Sequence, residues 1–207
     1  MPEARQGITD KSFVRSNGSD PQSVLPHIVR DRVYSCRYWK EHCFGLDAES
    51  ILDKVRDIDA IAFCVGANNS PSVFLCLLTK LLQISPDHEI VTAYLTHSAG
   101  NPVNDSQLQL RDLRYLRALV ATYVRLVGSA VTTHRLLEPL LLDYRKVVLV
   151  SPDLRSQLLS IDEWIMMLLN DADRSVCGLI LPLIASRSQL VAEGVLTPYT
   201  NTLDVGE

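Results

Sequence analysis

The stretch RVYSCRYWKEHCFGL, residues 32–46, gathers Cys36, Trp39, Lys40, Glu41, His42 and Cys43 into a short span. Cysteine, histidine and carboxylate side chains build zinc sites, and a cysteine beside a histidine is the raw material of a nucleophile and its base. A metal site needs its ligands to converge on one point. On a helix, Cys36 and Cys43 share a face but lie about 10 Å apart along the axis at roughly 1.5 Å per residue, too far for one zinc with sulfurs at about 2.3 Å. His42 points about 120° away from Cys36, and no CxxC or HxxxH elsewhere in the chain supplies the missing ligands. The stretch reads as an amphipathic helix whose cysteines fill core positions, with Tyr38, Glu41 and His42 off that face.

Other chemistries fare no better. The chain has no G-x-S-x-G elbow, no Walker loop and no dinucleotide fingerprint. Ser129 and His134 read as a helix cap and a partly exposed side chain. VGANNSPSVF, residues 65–74, precedes a helix start, as anion-binding loops do, but with one glycine and no lysine it reads as a structural turn. The expectation is therefore no enzyme, no cofactor and no metal. Two patches remain for binding. Arg111, Arg114 and Arg125 lie within roughly 60° on a helical wheel with Arg117 about 60° further round, a face suited to phosphates or an acidic partner, with Arg145 and Lys146 as possible additions. Trp164, Met166 and Met167 put soft apolar surface on a short helix; neighbouring positions are 100° apart, so both methionines cannot face inward and one can belong to a partner groove.

The elements that must position these residues follow from periodicity. Hydrophobic residues make up 47% and charged residues 21% of 207, which is ordinary globular usage and rules out disorder of the whole. A net charge of -4 argues against a protein that coats phosphate backbones. No apolar run approaches the roughly 20 residues that span a bilayer, the N-terminus lacks a secretory apolar core, and the five cysteines form an odd, unpaired set. A soluble intracellular protein with reduced thiols is expected. Residues 1–20 read as a flexible arm, 21–194 as one compact helical domain, and 195–207 as a tail.

Within the domain, Asp20-Pro21 predicts the start of one long helix, in which Leu25, Ile28, Val29, Val33, Cys36, Trp39 and Cys43 form the core face and Pro26 marks where an interruption would fall. Asp47 caps the next helix. Ser70-Pro71 and Ser85-Pro86 each predict a helix start, and the first of these helices is apolar nearly all round, so it belongs at the centre. A helix runs from about Asp112 to Gly128, and Pro139 must kink or divide the following one. KVVLV and QLLSI flank a loop with Pro152 and Asp153, predicting a β-hairpin near 146–160, the one good hairpin in the chain. Ser160 and Glu163 form a capping-box pattern that starts the Trp164 helix. The apolar run from Val176 continues around Pro182 to Gly194. The fold class is mainly α with one small hairpin.

Four blocks in this order, YWKEHCFGL (38–46), PSVFLCLLTKLLQISP (71–86), LRYLRALVATYVRLVG (113–128) and LEPLLLDYRKV (137–147), followed by SIDEWI and VCGLILP, resemble the conserved domain of the pre-mRNA-splicing factor 38 family over about residues 20–185. The resemblance implies a nuclear, non-enzymatic, mainly helical protein of the spliceosome. It implies a docking hub that joins with the tri-snRNP, serves activation of the assembled particle, and binds other B-complex proteins. Among these are a helical segment of a microfibrillar-associated-protein homologue and a zinc-finger splicing protein. Outside such a complex a monomer is expected, and direct RNA contact through the arginine face is the alternative. The chain departs from the family pattern at Ala67-Asn68-Asn69, where a glycine-rich turn is usual, at Met166-Met167, where acidic residues are usual, and at Leu183, where arginine is usual.

Overall fold

A computed structural model of the chain describes residues 20–66, 68–97, 113–170, 175–176 and 178–198. The predicted arm and most of the predicted tail lie outside them. At the centre stand two helices that meet protein on every side. In α3 (Val73–Ile84) every residue from Phe74 to Leu82 is buried, and in α5 (Arg114–Val127) every residue from Leu116 to Leu126. α3 packs on α5, and α4 (His88–His97), α6 (Ala130–Leu137) and α7 (Ile161–Leu169) surround the rest of α5. One hydrophobic cluster runs from Leu25 to Leu181 through these helices.

The expected long first helix is instead three pieces: a 3-10 turn (Pro21–Val24), α1 (His27–Ser35), and a wide π-type turn (Trp39–Cys43). The first break is the work of Pro26, which lacks an N–H and forces Leu25 into an extended conformation (ψ 135°). The second lies at Cys36 (ψ 155°), whose Sγ accepts the Trp39 N–H at 3.4 Å. Breaking the helix re-aims its faces. Leu25, Val33, Trp39 and Cys43 are buried as expected, but Ile28 is 69% exposed.

α2 is a single turn (Ile51–Lys54) continued by a 3-10 turn (Val55–Asp57), and Asp47 Oδ1 accepts the Ser50 N–H at 2.8 Å ahead of it. Ser70-Pro71 does not start a helix. It forms β2, paired antiparallel with β1 (Cys64–Val65). The cap of α3 is Ser72, whose hydroxyl accepts from Leu75 N–H at 3.0 Å and donates to the Ala62 carbonyl. Gly128 ends α5 without a left-handed turn (φ -69°). A Cβ there would sit 2.6 Å from the carbonyl oxygen of Val124 in the last turn of α5 and 2.9 Å from Thr133 Oγ1 of α6, so crowding at the end of α5 is what requires glycine. Pro139 divides the next helix as expected: α6 stops at Leu137 and a 3-10 turn (Glu138–Leu142) follows.

The predicted hairpin is β3 (Lys146–Val150) against β4 (Ser156–Ser160), with Val148 opposite Leu158. Ile61 adds a short parallel bridge to the outer side of β3. The capping box forms, Glu163 Oε2 accepting from the Ser160 N–H at 2.6 Å and the Ser160 hydroxyl at 2.9 Å. After α7 the apolar run is not one continuous element. It is a tight hairpin of β5 (Ser175–Val176) and β6 (Leu179–Ile180) turned by Gly178 (φ 88°), then an extended stretch, then α8 (Arg187–Ala192). The fold is mainly α as predicted, with three two-stranded ribbons among the described residues where one hairpin was expected.

Candidate docking surface

Two of the cysteines are held protonated by the fold. Burial pushes the Cys43 thiol up to about 12 and raises that of Cys76 as well, so neither is a thiolate near neutral pH. Cys36 Sγ lies 3.6 Å from Cys76 Sγ, a pairing across forty residues of chain that no local pattern announces. Among the described residues no three His, Cys, Asp or Glu side chains converge to hold a metal, and no helix is long and apolar enough to cross a membrane. Lys80, in the middle of apolar α3, is also used internally: its Nζ donates to the Phe44 carbonyl (3.1 Å) and Gln83 Oε1 (3.0 Å) and sits 5.8 Å from the centre of the Trp39 ring.

Glu41 and His42 lie exposed on the outer side of the π-type turn, while Tyr38, expected off the core face, is partly buried against the core beside them. The Tyr38 hydroxyl donates to Asp57 Oδ2 at 3.0 Å, its ring lies 5.0 Å from that of His42, and Glu41 Oε1 accepts from Arg37 Nε at 2.7 Å.

The expected arginine face is not a solvent-facing stripe at Arg117 and Arg125. Arg117 is 7% and Arg125 2% exposed. Arg117 donates to Asp143 Oδ2 (2.5 Å) and to the Leu95 carbonyl (2.8 Å), and Arg125 Nε donates to the Leu168 carbonyl (2.7 Å). Arg114 is half-buried and donates to the Lys146 carbonyl at 2.7 Å. Arg145 clasps the Asp143 carboxylate through Nε (2.9 Å) and Nη2 (2.6 Å). Arg111 lies outside the described residues. The wheel argument fails because α5 is enclosed by α3, α4, α6 and α7 and has no solvent side to offer. Trp164 is likewise 0% exposed and belongs to the core, not to a partner site.

Met166 is different. It is 62% exposed, Met167 is partly buried against the core, and the two border an apolar groove of about 490 Å³ with Leu141, His134, Glu138 and Arg187. Glu138 Oε1 ties its polar wall together, accepting from Arg187 Nε at 2.8 Å and lying 3.2 Å from His134 Nδ1. The His134–Glu138 spacing of four was a legible signal for that pair, although Glu138 lies in the 3-10 turn just after α6 and His134, expected to be partly exposed, is buried; Arg187, from α8, was not. A second groove of about 280 Å³ is lined by Val24, Pro26, Val29, Phe63, Leu179 and Ile180. Flexible thioethers and exposed apolar side chains beside fixed ion pairs suit the uptake of a peptide rather than bond-making.

The PRP38 family model matches residues 15–194. The chain belongs to that family. It is 37% identical over 188 residues to pre-mRNA-splicing factor 38A of Xenopus laevis and 35% identical over 188 residues to that of Homo sapiens, in each case covering 91% of this chain and 55% of the relative. The chain thus spans about half the length of these relatives. Among solved structures it is similar, with a TM-score of 0.80 and 32% identity over 92% of both chains, to a chain of the Snu23-Prp38-MFAP1(217-258) complex of Chaetomium thermophilum.

Proposed function

We propose that this chain is a non-enzymatic docking module of pre-mRNA splicing, working in the nucleus as part of the tri-snRNP and B-complex stage at which the spliceosome is activated. The observation that carries this reading is the similarity, over nearly the whole chain, to a protein solved together with Snu23 and an MFAP1 fragment. The interior agrees with it: the Cys43 and Cys76 thiols are held protonated by burial, and Arg117 and Arg125 are spent on internal acceptors. The counterparts of those two proteins, a helical segment of a microfibrillar-associated-protein homologue and a zinc-finger splicing protein, are the proposed partners. The Met166 groove and the Tyr38–Glu41–His42 surface are the proposed contacts. RNA contact through the arginine face loses its support, since Arg117 and Arg125 are buried.

Titration of the chain with a helical fragment of the MFAP1 homologue tests the reading. Binding in the low-micromolar range that weakens with Met166→Glu or with His42→Ala is expected. No binding at tens of micromolar to either partner would refute it.

A further inference from the structure

β4 is the outer strand of the longest ribbon in the fold, and the bonds around β3 reveal which of its peptide groups face outward. Ile61 donates its N–H to the Val148 carbonyl (2.8 Å) and accepts from Val150 N–H (2.9 Å), and Val148 N–H meets the Tyr115 hydroxyl at 3.2 Å. Successive residues of a strand direct their backbone groups to opposite sides. Val148 and Val150 therefore turn away from β4, while Val147 and Leu149 bond to their opposites, Leu159 and Gln157. The bonds from Ile161 N–H to the Arg145 carbonyl (3.0 Å) and from Ser151 N–H to the Arg155 carbonyl (3.0 Å) continue this alternation at both ends. The N–H and C=O groups of Ser156 and Leu158 are left pointing out of the ribbon. Ser160 faces the same way, but Glu163 takes its N–H and its carbonyl opens α7.

Among the described residues no strand pairs with this edge. Ser156, Gln157 and Leu158 are all exposed, Leu158 by 67%. Open edges are ordinarily guarded by a lysine, a proline or a bulge, and this one has none of the three.

We infer that the β4 edge pairs with the same edge of a second copy of the chain. The exposed groups are self-complementary about a two-fold axis at Gln157. Ser156 N–H reaches the Leu158 carbonyl of the second copy, Leu158 N–H reaches its Ser156 carbonyl, and symmetry repeats both, so that all the outward groups of these two residues are satisfied. The join is antiparallel and isologous, so it closes at two copies and does not propagate. It sets Gln157 opposite Gln157 and Arg155 opposite Leu159, and no like charges meet. A free peptide would lose its own chain entropy to make the same bonds, whereas the second copy brings a strand already ordered by β3. The edge is far shorter than a standard stable interface requires, so the association is weak and concentration-dependent.

Sedimentation equilibrium of the 207-residue chain over a concentration series into the millimolar range, with residue-resolved amide exchange, tests the inference. The average mass should climb toward two copies while the Ser156 and Leu158 amides gain protection, those of Gln157 and Leu159 being protected throughout. Leu158→Pro removes an outward N–H without touching a β3–β4 bond and should abolish association, whereas Leu158→Ala, which keeps the backbone edge, should retain it. If Leu158→Pro disturbs the hairpin, seen as lost protection at Gln157 and Leu159, Leu158→Lys carries the test and should likewise leave a monomer. A monomer at every concentration, or association that survives the disrupting variants, overturns the inference. So does protection of Ser156 and Leu158 that appears only when a fragment of another protein is added, which would assign the edge to a partner strand.

Discussion

Asp143 joins the turn after α6 to strand β3, and removing its carboxylate tests how the buried arginines are held. The side chain is 8% exposed and accepts from Arg117 Nη1 at 2.5 Å and from Arg145 Nη2 at 2.6 Å. Asp143→Ala takes the counter-charge from a guanidinium that is itself buried, a loss of about 3–5 kcal/mol. Arg117→Met keeps the apolar stem and leaves Asp143 held by Arg145, which is 25% exposed, so about 1–3 kcal/mol is expected. Against a total stability of roughly 5–15 kcal/mol, the first change removes a large fraction and the second a modest one. The double variant should be less destabilised than the sum by about 1–3 kcal/mol, because both single changes break the same contact.

Urea unfolding reads this directly, since Trp39 and Trp164 are both buried and their emission shifts to the red on exposure. The pH dependence supplies a second check. Burial alone would raise the Asp143 pKa, but the hydrogen bonds from Arg145 and the charges of Arg145 and Arg117 outweigh it and hold the carboxyl below its usual range. A depressed folded-state pKa contributes stability that is fully present above the unfolded value of about 3.9 and is lost as the pH falls through the folded value. The gap between wild type and Asp143→Ala should therefore be constant near neutrality and shrink below about pH 4. Equal costs for the two single variants, strict additivity, or a gap that persists in acid would refute this account of the pair.

Gly128→Ala should lower stability by about 1–3 kcal/mol even though φ is ordinary there, because the new methyl meets the Val124 carbonyl; a thermal melt unchanged from wild type would contradict it. Trp164→Ala should cost about 3–5 kcal/mol by opening a cavity. Met166→Ala should change stability by no more than about 0.5 kcal/mol yet weaken the MFAP1-homologue fragment several-fold, which calorimetry and denaturation together would separate. A maleimide reagent at neutral pH should label the half-exposed Cys36 and Cys64 in the native protein, with Cys43 and Cys76 reacting only after unfolding; equal labelling rates would contradict their burial.

Much of the fold was legible because local chemistry and tertiary packing agreed. Ser129, Pro139 and the Ser160–Glu163 box act at the positions their types predict, and α3 is apolar all round and central. Where the reading failed, a residue answered to something distant in sequence. Ser70-Pro71 has the composition of a helix start, but Cys64 and Val65 offer it a strand to pair with, and Ser72 was available to cap instead. Cys36 breaks an otherwise helical pattern next to a thiol forty residues on. Gly178 was the one local clue to the β5–β6 hairpin, and the surrounding apolar run concealed it.

The candidate surface shows the same division more sharply. A helical wheel sorts residues into an inner and an outer face, and that assumption holds only for a helix packed on one side. α5 is buried all round from Leu116 to Leu126, so Arg117 and Arg125 could go only inward, and the folded chain meets them with an Asp143 carboxylate and with the carbonyls of Leu95 and Leu168. The wheel gave no warning: Leu116, Leu119, Val120, Val124 and Leu126 fall within one arc of about 160° with the arginines opposite, the pattern of a helix packed on one side. Charges on a helix buried all round fasten it to its neighbours, and a partner must be met elsewhere, on elements packed on one side only. α7 is one of these. It buries Trp164, Ile165 and Leu168 and turns Met166 outward, so the residue with the least striking chemistry in the sequence becomes the strongest candidate for contact.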